Sequence, residues 1–135
     1  MANYYGVGRT NYFRVKDEAA FLSDLEEIEG VRIHDEIRKD GQRWFMLMDD
    51  NDDGWCLSWK DERKDAAEIW LPEVIARYLI DDEVAIIMES GHEKHRYVSG
   101  WAVAINNKGD FKQLTLNDIY DLAKELGPNI TDASY

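Results

Sequence analysis

The chain has 135 residues, and 16 Lys and Arg against 28 Asp and Glu give it a net charge of −12. Its length fits a single acidic domain, residues 1–135, and its 44% hydrophobic share is enough to build a core. Surplus negative charge repels phosphates and anionic lipids, so direct binding to nucleic acid or to a membrane is disfavoured. The single Cys56 allows no internal disulfide, and no apolar run reaches the ~18 residues of a membrane helix, so we expect a soluble cytoplasmic protein.

The first half of the chain contains, in order, the patterns of a strand, a helix and a β-hairpin. Apolar residues recur at helical spacing after Asp17, and Gly30 ends that pattern. Asp40-Gly41 is the dipeptide that a type I′ turn prefers, which predicts the hairpin. The expected bounds are a strand at 9–15, a helix at 17–28, and hairpin strands at 31–37 and 44–48.

The second half predicts two more helices and further strands. Leu71-Pro72 opens a helix, because proline is tolerated in a first helical turn, and Thr115 with Asp118 resembles a capping box. The expected strands are 55–59, 84–88, 97–105 and 111–114, and the expected helices run from 71 to about 81 and from 115 to 126. The sequence therefore predicts an α+β fold, with a mostly antiparallel sheet of about five to seven strands and three helices.

One acidic loop has part of a calcium-binding pattern. Asp49-x-Asn51-x-Asp53-Gly54 matches the first half of an EF-hand loop. The twelfth loop position is Lys60 where a glutamate should close the cage, and the flanks predict strands rather than helices. We therefore expect a solvated hairpin loop, with weak cation binding as the alternative.

Other candidate catalytic groups lack the required spacing. His92 and His95 are three residues apart, whereas a zinc-protease helix needs four, and His34 stands alone in a predicted strand. Cys56 has no neighbour that would activate it, and Gly6-x-Gly8 lacks the strand and helix that flank a phosphate loop. We therefore predict no catalytic residue, metal or cofactor, and a protein that is not an enzyme.

Carboxylates cluster along the chain. Burying the apolar stripe of the first helix leaves its acids in solvent, and 49–68 holds a second group, followed by a third at 81–83. Two like charges 4 Å apart repel by ~1 kcal/mol in water, a cost that can be retained for binding, although such runs also simply decorate solvated surfaces. The predicted partner-binding residues are Asp24, Glu26, Glu27, Asp49, Asp50, Asp52, Asp53, Asp61, Glu62, Asp65 and Glu68.

These clusters suggest a nucleic-acid mimic. Duplex DNA carries one charge per ~1.7 Å of its axis, so a protein that competes for a DNA-binding cleft needs many carboxylates on a rigid scaffold. Aromatic side chains near the acids, Trp55, Trp59 and Trp70, could serve as desolvated anchors, although they could equally belong to the core. The predicted partner is a basic nucleic-acid-binding protein.

The segments NYYGVGRTNYFRVKDEAAF and EVAIIMESGHEKHRYVSGWAVAINNKGD resemble small acidic accessory proteins of bacterial plasmids, phages and integrative elements. Such proteins include anti-restriction and anti-CRISPR inhibitors, some of which act as DNA mimics. The resemblance implies a non-enzymatic inhibitor of a CRISPR or restriction complex, and it assigns no functional residue. The alternative is an immunity protein or antitoxin that binds a basic partner, and an enzyme or calcium-regulated protein ranks last.

Overall fold

A computed structural model describes residues 4–28, 30–50, 58–61, 67–94 and 97–133 of the chain. None of the described helices is long and apolar enough to span a bilayer. The elements in chain order are β1 (Tyr4–Thr10), α1 (Glu18–Glu26), β2 (Val31–Ile37), β3 (Arg43–Asp49), β4 (Ser58–Asp61), β5 (Ala67–Trp70), α2 (Leu71–Tyr78), β6 (Val84–Glu93), β7 (Tyr97–Asn106), β8 (Phe111–Thr115) and α3 (Asp118–Ala123).

Six of these strands form one antiparallel sheet in the order β2-β3-β1-β6-β7-β8, and β4 pairs with β5 separately. The predicted α+β fold with a largely antiparallel sheet and three helices is therefore confirmed. The two longest strands, β6 and β7, pair along their whole length, from Val84 opposite Asn106 to Glu93 opposite Tyr97. β6 lies between β1 and β7, and β7 lies between β6 and β8, so both strands are interior strands of the sheet.

The core lies between one face of the sheet and helices α1 and α2. Phe21 of α1 makes edge-to-face contacts with Phe13, Phe45 and Tyr78, at centroid distances of 5.3–5.9 Å. Such pairs add about 0.5–1.5 kcal/mol each beyond the area they bury. The remaining buried core residues are Val15, Leu25, Leu47, Leu71, Ile75, Ala76, Leu79, Ala85, Ile87 and Ile105.

Local signals explain how both core helices begin. The side chain of Asp17 accepts a hydrogen bond from the Ala20 N–H at 3.1 Å, which caps α1. Pro72 stands in the first turn of α2, where its missing N–H has no helical partner to lose. The backbone of Lys16 donates to Tyr78 O at 2.7 Å, so the start of α1 and the end of α2 are held together.

The first strand differs from its prediction. The structure places β1 at Tyr4–Thr10, whereas 9–15 was expected, and Phe13 and Val15 make only isolated bridges to Phe45 and Leu79. Glycines lie within β1 because the Tyr4 ring packs across the strand: a Cβ on Gly6 would lie 2.6 Å from Tyr4 Cε1. The ring needs that space, so the glycines do not mark a loop.

Several element ends also differ. Gly41 has a φ of +80° while Asp40 has a negative φ, so the predicted type I′ turn is wrong. The turn is instead closed by the Gly41 N–H donating to Arg38 O at 2.8 Å. The structure continues β4 to Asp61. The predicted strand at 55–59 overlaps β4 only at 58–59, and 55–57 lie outside the described residues.

Candidate functional site

Two acid-bearing segments meet at one end of the molecule. The end of β3 lies beside the start of β2, with Asp49 opposite Val31, and the N–H of Asp50 donates to Gly30 O at 2.9 Å. Because Gly30 follows the last turn of α1, the acids of that turn lie at the same end of the sheet as Asp50. We call this surface the acidic end; its residues are Glu26, Glu27 and Asp50, all of them exposed.

The position of the two glutamates in α1 is unfavourable for the helix itself. Glu26 is the last residue of α1 and Glu27 is its C-cap, where the helix dipole is negative. The last turn contains no basic residue that would offset this charge, and every residue of that turn is described. A carboxylate at a helix C-terminus costs about 0.3–1 kcal/mol, so the interaction with the helix dipole does not explain these side chains.

Two of the predicted binding carboxylates have structural partners. The Asp24 carboxylate accepts a hydrogen bond from the Tyr78 hydroxyl, which joins α1 to α2. That bond, together with burial, raises the pKa of Tyr78 above its usual 10.0. The Asp49 carboxylate accepts a hydrogen bond from the Gly8 N–H and so ties β3 to β1. Both groups serve the fold and border the acidic end.

The other predicted binding residues belong to the 52–68 segment. Asp61 lies in β4 opposite Ala67, and Glu68 lies in β5 opposite Lys60. Of the candidate aromatic anchors, Trp59 lies in β4, and Trp70 is half-buried with its ring 5.0 Å from that of Phe111. The predicted residues that lie outside the described part of the chain are Asp52, Asp53, Trp55, Glu62 and Asp65.

Two acids at the α2–β6 turn are paired with bases. Asp81 contacts Lys16 at 3.3 Å, and Glu83 contacts Arg14 at 2.5 Å. Hydrogen bonds from Asn107 and then Lys16 lower the pKa of Asp81. The third carboxylate cluster of the sequence is therefore built largely into ion pairs that join the α2–β6 turn to the segment before α1.

The β2–β3 hairpin shows the same neutralisation. Arg43 lies between two carboxylates, 2.8 Å from Asp35 and 3.1 Å from Glu18. Arg38 contacts Glu36 at 2.7 Å, and its guanidinium also lies 4.2 Å from the centre of the Trp44 ring. The hairpin is consequently a mixed-charge surface, unlike the acidic end.

The structure gives the remaining candidate chemical groups ordinary structural positions. His92 belongs to β6, where it is exposed and its Nδ1 lies 3.1 Å from Lys94 O. His34 is exposed on β2 with its ring 6.2 Å from that of Tyr12. Within the described ranges, no three His, Cys, Asp or Glu side chains converge as metal ligands. Cys56, His95 and most of the candidate calcium loop lie outside those ranges.

Sequence reasoning missed one surface. The face of β1, β6, β7 and β8 that points away from α1 and α2 exposes large apolar side chains, including Val7 and Val98. The alternation of inward and outward residues along 84–93 and 97–106 could have indicated it, since only one set is needed for the core.

Comparisons of the chain with protein-family models, with curated proteins and with solved structures give no match.

Proposed function

We propose that the chain is a non-enzymatic binding protein that engages a basic, nucleic-acid-binding protein through its acidic end and inhibits it. The observation that carries the proposal is the position of Glu26 and Glu27 at the C-terminus of α1, beside Asp50. These carboxylates are exposed where the helix dipole disfavours them. We therefore assign Glu26 and Glu27 a role in binding the partner.

The target class follows from charge complementarity. A chain of net charge −12 is attracted to cationic protein surfaces and repelled by phosphates. Cationic clefts that are large enough to hold a duplex occur in proteins that bind nucleic acid. Together with the resemblance described above, this favours a CRISPR surveillance complex or a restriction complex as the partner.

The proposal is tested by competition for DNA. A type I CRISPR complex and a type I restriction enzyme, each bound to labelled duplex DNA at low salt, are titrated with the chain, and retained DNA is measured by fluorescence anisotropy. We expect DNA to be displaced from one of them. Unchanged DNA retention on both complexes would contradict the proposed target class.

A pair of charge-matched variants locates the binding surface. The acidic-end triple variant combines Glu26→Gln, Glu27→Gln and Asp50→Asn. The control triple variant combines Glu73→Gln, Asp82→Asn and Asp110→Asn, whose carboxylates are also exposed. Both lose three negative charges, but only the acidic-end variant should weaken displacement, by about tenfold or more, the equivalent of ~1.4 kcal/mol. Equal weakening by both variants would show that net charge alone is responsible.

A further inference from the structure

A large apolar surface lies on the side of the sheet opposite the helices. Strand register sets its outward side chains beside one another: Tyr5 lies opposite His92, Arg9 opposite Met88, and Met88 in turn opposite Ala102. We call this surface the outer face. Its exposed apolar residues are Tyr5, Val7, Met88, Val98, Leu114 and Leu116.

The outer face is not a typical solvated surface of this chain. The outward residues of β1, β6, β7 and β8, all of them described, include Arg9, His92 and Lys112 but no carboxylate. This contrasts with 28 acids against 16 bases in the whole sequence. A surface that is apolar, weakly basic and free of acids in such a chain is suited to an acidic, apolar occupant.

The outer face also has the shape of a docking site. One end of this face forms an open groove of about 670 Å³ whose walls include Tyr5, Val7 and Val98. Leu116 closes one side of this groove: its side chain lies over Gly100, where a Cβ would be 3.0 Å from Leu116 Cγ. Val7 and Val98 are 67% and 66% exposed, so the groove is open to a partner.

The C-terminal segment of the same chain has the complementary properties. The helix α3 begins where the Asp118 carboxylate accepts a hydrogen bond from the Thr115 N–H at 2.8 Å, which is one half of the predicted capping box. The Leu126 N–H donates to Ala123 O at 3.0 Å and continues the turn beyond α3. We call residues 118–126 the helical segment.

The helical segment exposes one apolar side and carries acids beside it. Ile119, Leu122 and Leu126 recur at helical spacing, and Leu126 is 93% exposed. Asp121 and Glu125 are exposed on the same segment. The apolar side of this amphipathic segment is therefore not packed in the core of its own domain.

We propose that a second copy of the chain covers the outer face, with the helical segment of each copy packed over the outer face of the other. The apolar side chains of the two surfaces are 48–93% exposed, and a standard stable interface buries ~800 Å² per partner. Monomers rarely leave a contiguous apolar patch larger than about 300–600 Å² in water.

Reciprocal pairing is consistent with two-fold symmetry and brings oppositely charged side chains of the two copies together. A two-fold axis forms the same contact twice, so each copy contributes one helical segment and one outer face. The acids Asp121 and Glu125 of one copy then approach the basic side chains Arg9 and Lys112 of the other. This local attraction offsets the repulsion between two acidic copies and favours this arrangement over one that joins their acidic ends.

The first test measures mass in solution by sedimentation velocity over a range of concentrations. We expect a species of twice the 15.7 kDa chain mass. Leu126→Glu should weaken self-association by at least about tenfold. The matched control is Ile37→Glu, a β2 residue that is 72% exposed and away from the outer face; it should leave self-association unchanged. A monomeric wild-type chain, or a dimer that survives Leu126→Glu, would overturn the proposal.

The second test exchanges the charges across the interface. The pair Arg9→Glu with Lys112→Glu should weaken the dimer, and so should the pair Asp121→Lys with Glu125→Lys. Combining all four substitutions in one chain should restore self-association, because the opposite charges face each other again. All four side chains are exposed, and circular dichroism checks that each variant is folded. A fourfold variant that associates no better than either pair would contradict the proposed arrangement.

Discussion

The stability of α1 provides a sharp test of why its last turn is acidic. Glu26 ends α1, where the dipole is negative, and Glu73 lies in the first turn of α2, where the dipole is positive. Both side chains are exposed, and glutamine has nearly the same helix propensity as glutamate. The substitutions Glu26→Gln and Glu73→Gln therefore remove the same charge from opposite ends of two helices.

The expected effects have opposite signs. Removing the Glu26 charge should stabilise the protein by about 0.3–1 kcal/mol, and removing the Glu73 charge should destabilise it by about the same amount. Each substitution also relieves the general repulsion of a chain with net charge −12, and this contribution shifts both variants in the same direction. The difference between the two variants, about 0.6–2 kcal/mol, isolates the helix-end effect.

Thermal and urea unfolding measure this difference. For a domain of this size we expect the melting temperatures of the two variants to differ by roughly 2–8 °C at low salt, with Glu26→Gln the higher. High salt should reduce the difference, because exposed charges are screened. If Glu26→Gln proved less stable than Glu73→Gln, the carboxylate would be supporting α1, and the argument that it is retained for binding would fail.

Three further predictions concern the core and its polar contacts. Thr10 is 1% exposed, and its hydroxyl accepts a hydrogen bond from the Leu47 N–H at 2.9 Å. Thr10→Val should lower the free energy of unfolding in urea by about 1–2 kcal/mol and speed amide exchange at Leu47. Thr10→Ser keeps the hydroxyl and should preserve the protection of Leu47 from exchange. Equal exchange in the two variants would contradict this role. The pKa of Tyr78 is raised above 10.0, mainly by its hydrogen bond to Asp24 and then by burial. The neutral phenol therefore stabilises the folded state below pH 10, and this stabilisation is lost as the pH rises through the folded-state pKa. Asp24→Asn should lower that pKa, as measured by near-ultraviolet difference titration against Tyr78→Phe, and an unchanged titration would remove the proposed cause. Phe21 is 0% exposed within the aromatic cluster, and Phe21→Ala should cost about 3–5 kcal/mol in urea unfolding; a loss below about 1 kcal/mol would mean that its ring does not organise the core.

The elements set by local signals could be predicted from the sequence. The helical spacing of Phe21 and Leu25 predicted α1, and the structure buries both residues. Alternation on both sides of Gly41 predicted the β2–β3 hairpin, whose strands match the expectation closely. These patterns depend on neighbours a few residues apart, which the sequence displays directly.

Contacts between distant segments could not be predicted in the same way. Gly91 of β6 leaves room for the Tyr4 ring, which lies 87 positions earlier in the chain, and nothing in the sequence near Gly91 indicates that contact. Asp81 and Glu83 formed part of an acidic run in the sequence, yet their partners Lys16 and Arg14 lie more than sixty positions away. Charge runs therefore indicated where acids are abundant, and the fold decided which of them are paired.

For the candidate site too, the sequence indicated local features but not contacts between distant segments. The sequence identified Glu26, Glu27 and Asp50 as exposed acids, but it could not show that α1 and β3 end at the same side of the molecule. Nor could it show that the apolar side of α3 would face water, since an amphipathic pattern predicts burial against some partner without naming it.

The central claim is that the acidic end is the surface that binds a basic partner, and one titration tests it directly. The affinity of the CRISPR or restriction complex for the wild-type chain, the acidic-end triple variant and the control triple variant is measured at several salt concentrations. We predict that the acidic-end variant alone binds about tenfold or more weakly at low salt, and that its affinity depends less steeply on salt than that of the control variant. Identical affinities and salt slopes for the two variants would contradict the claim.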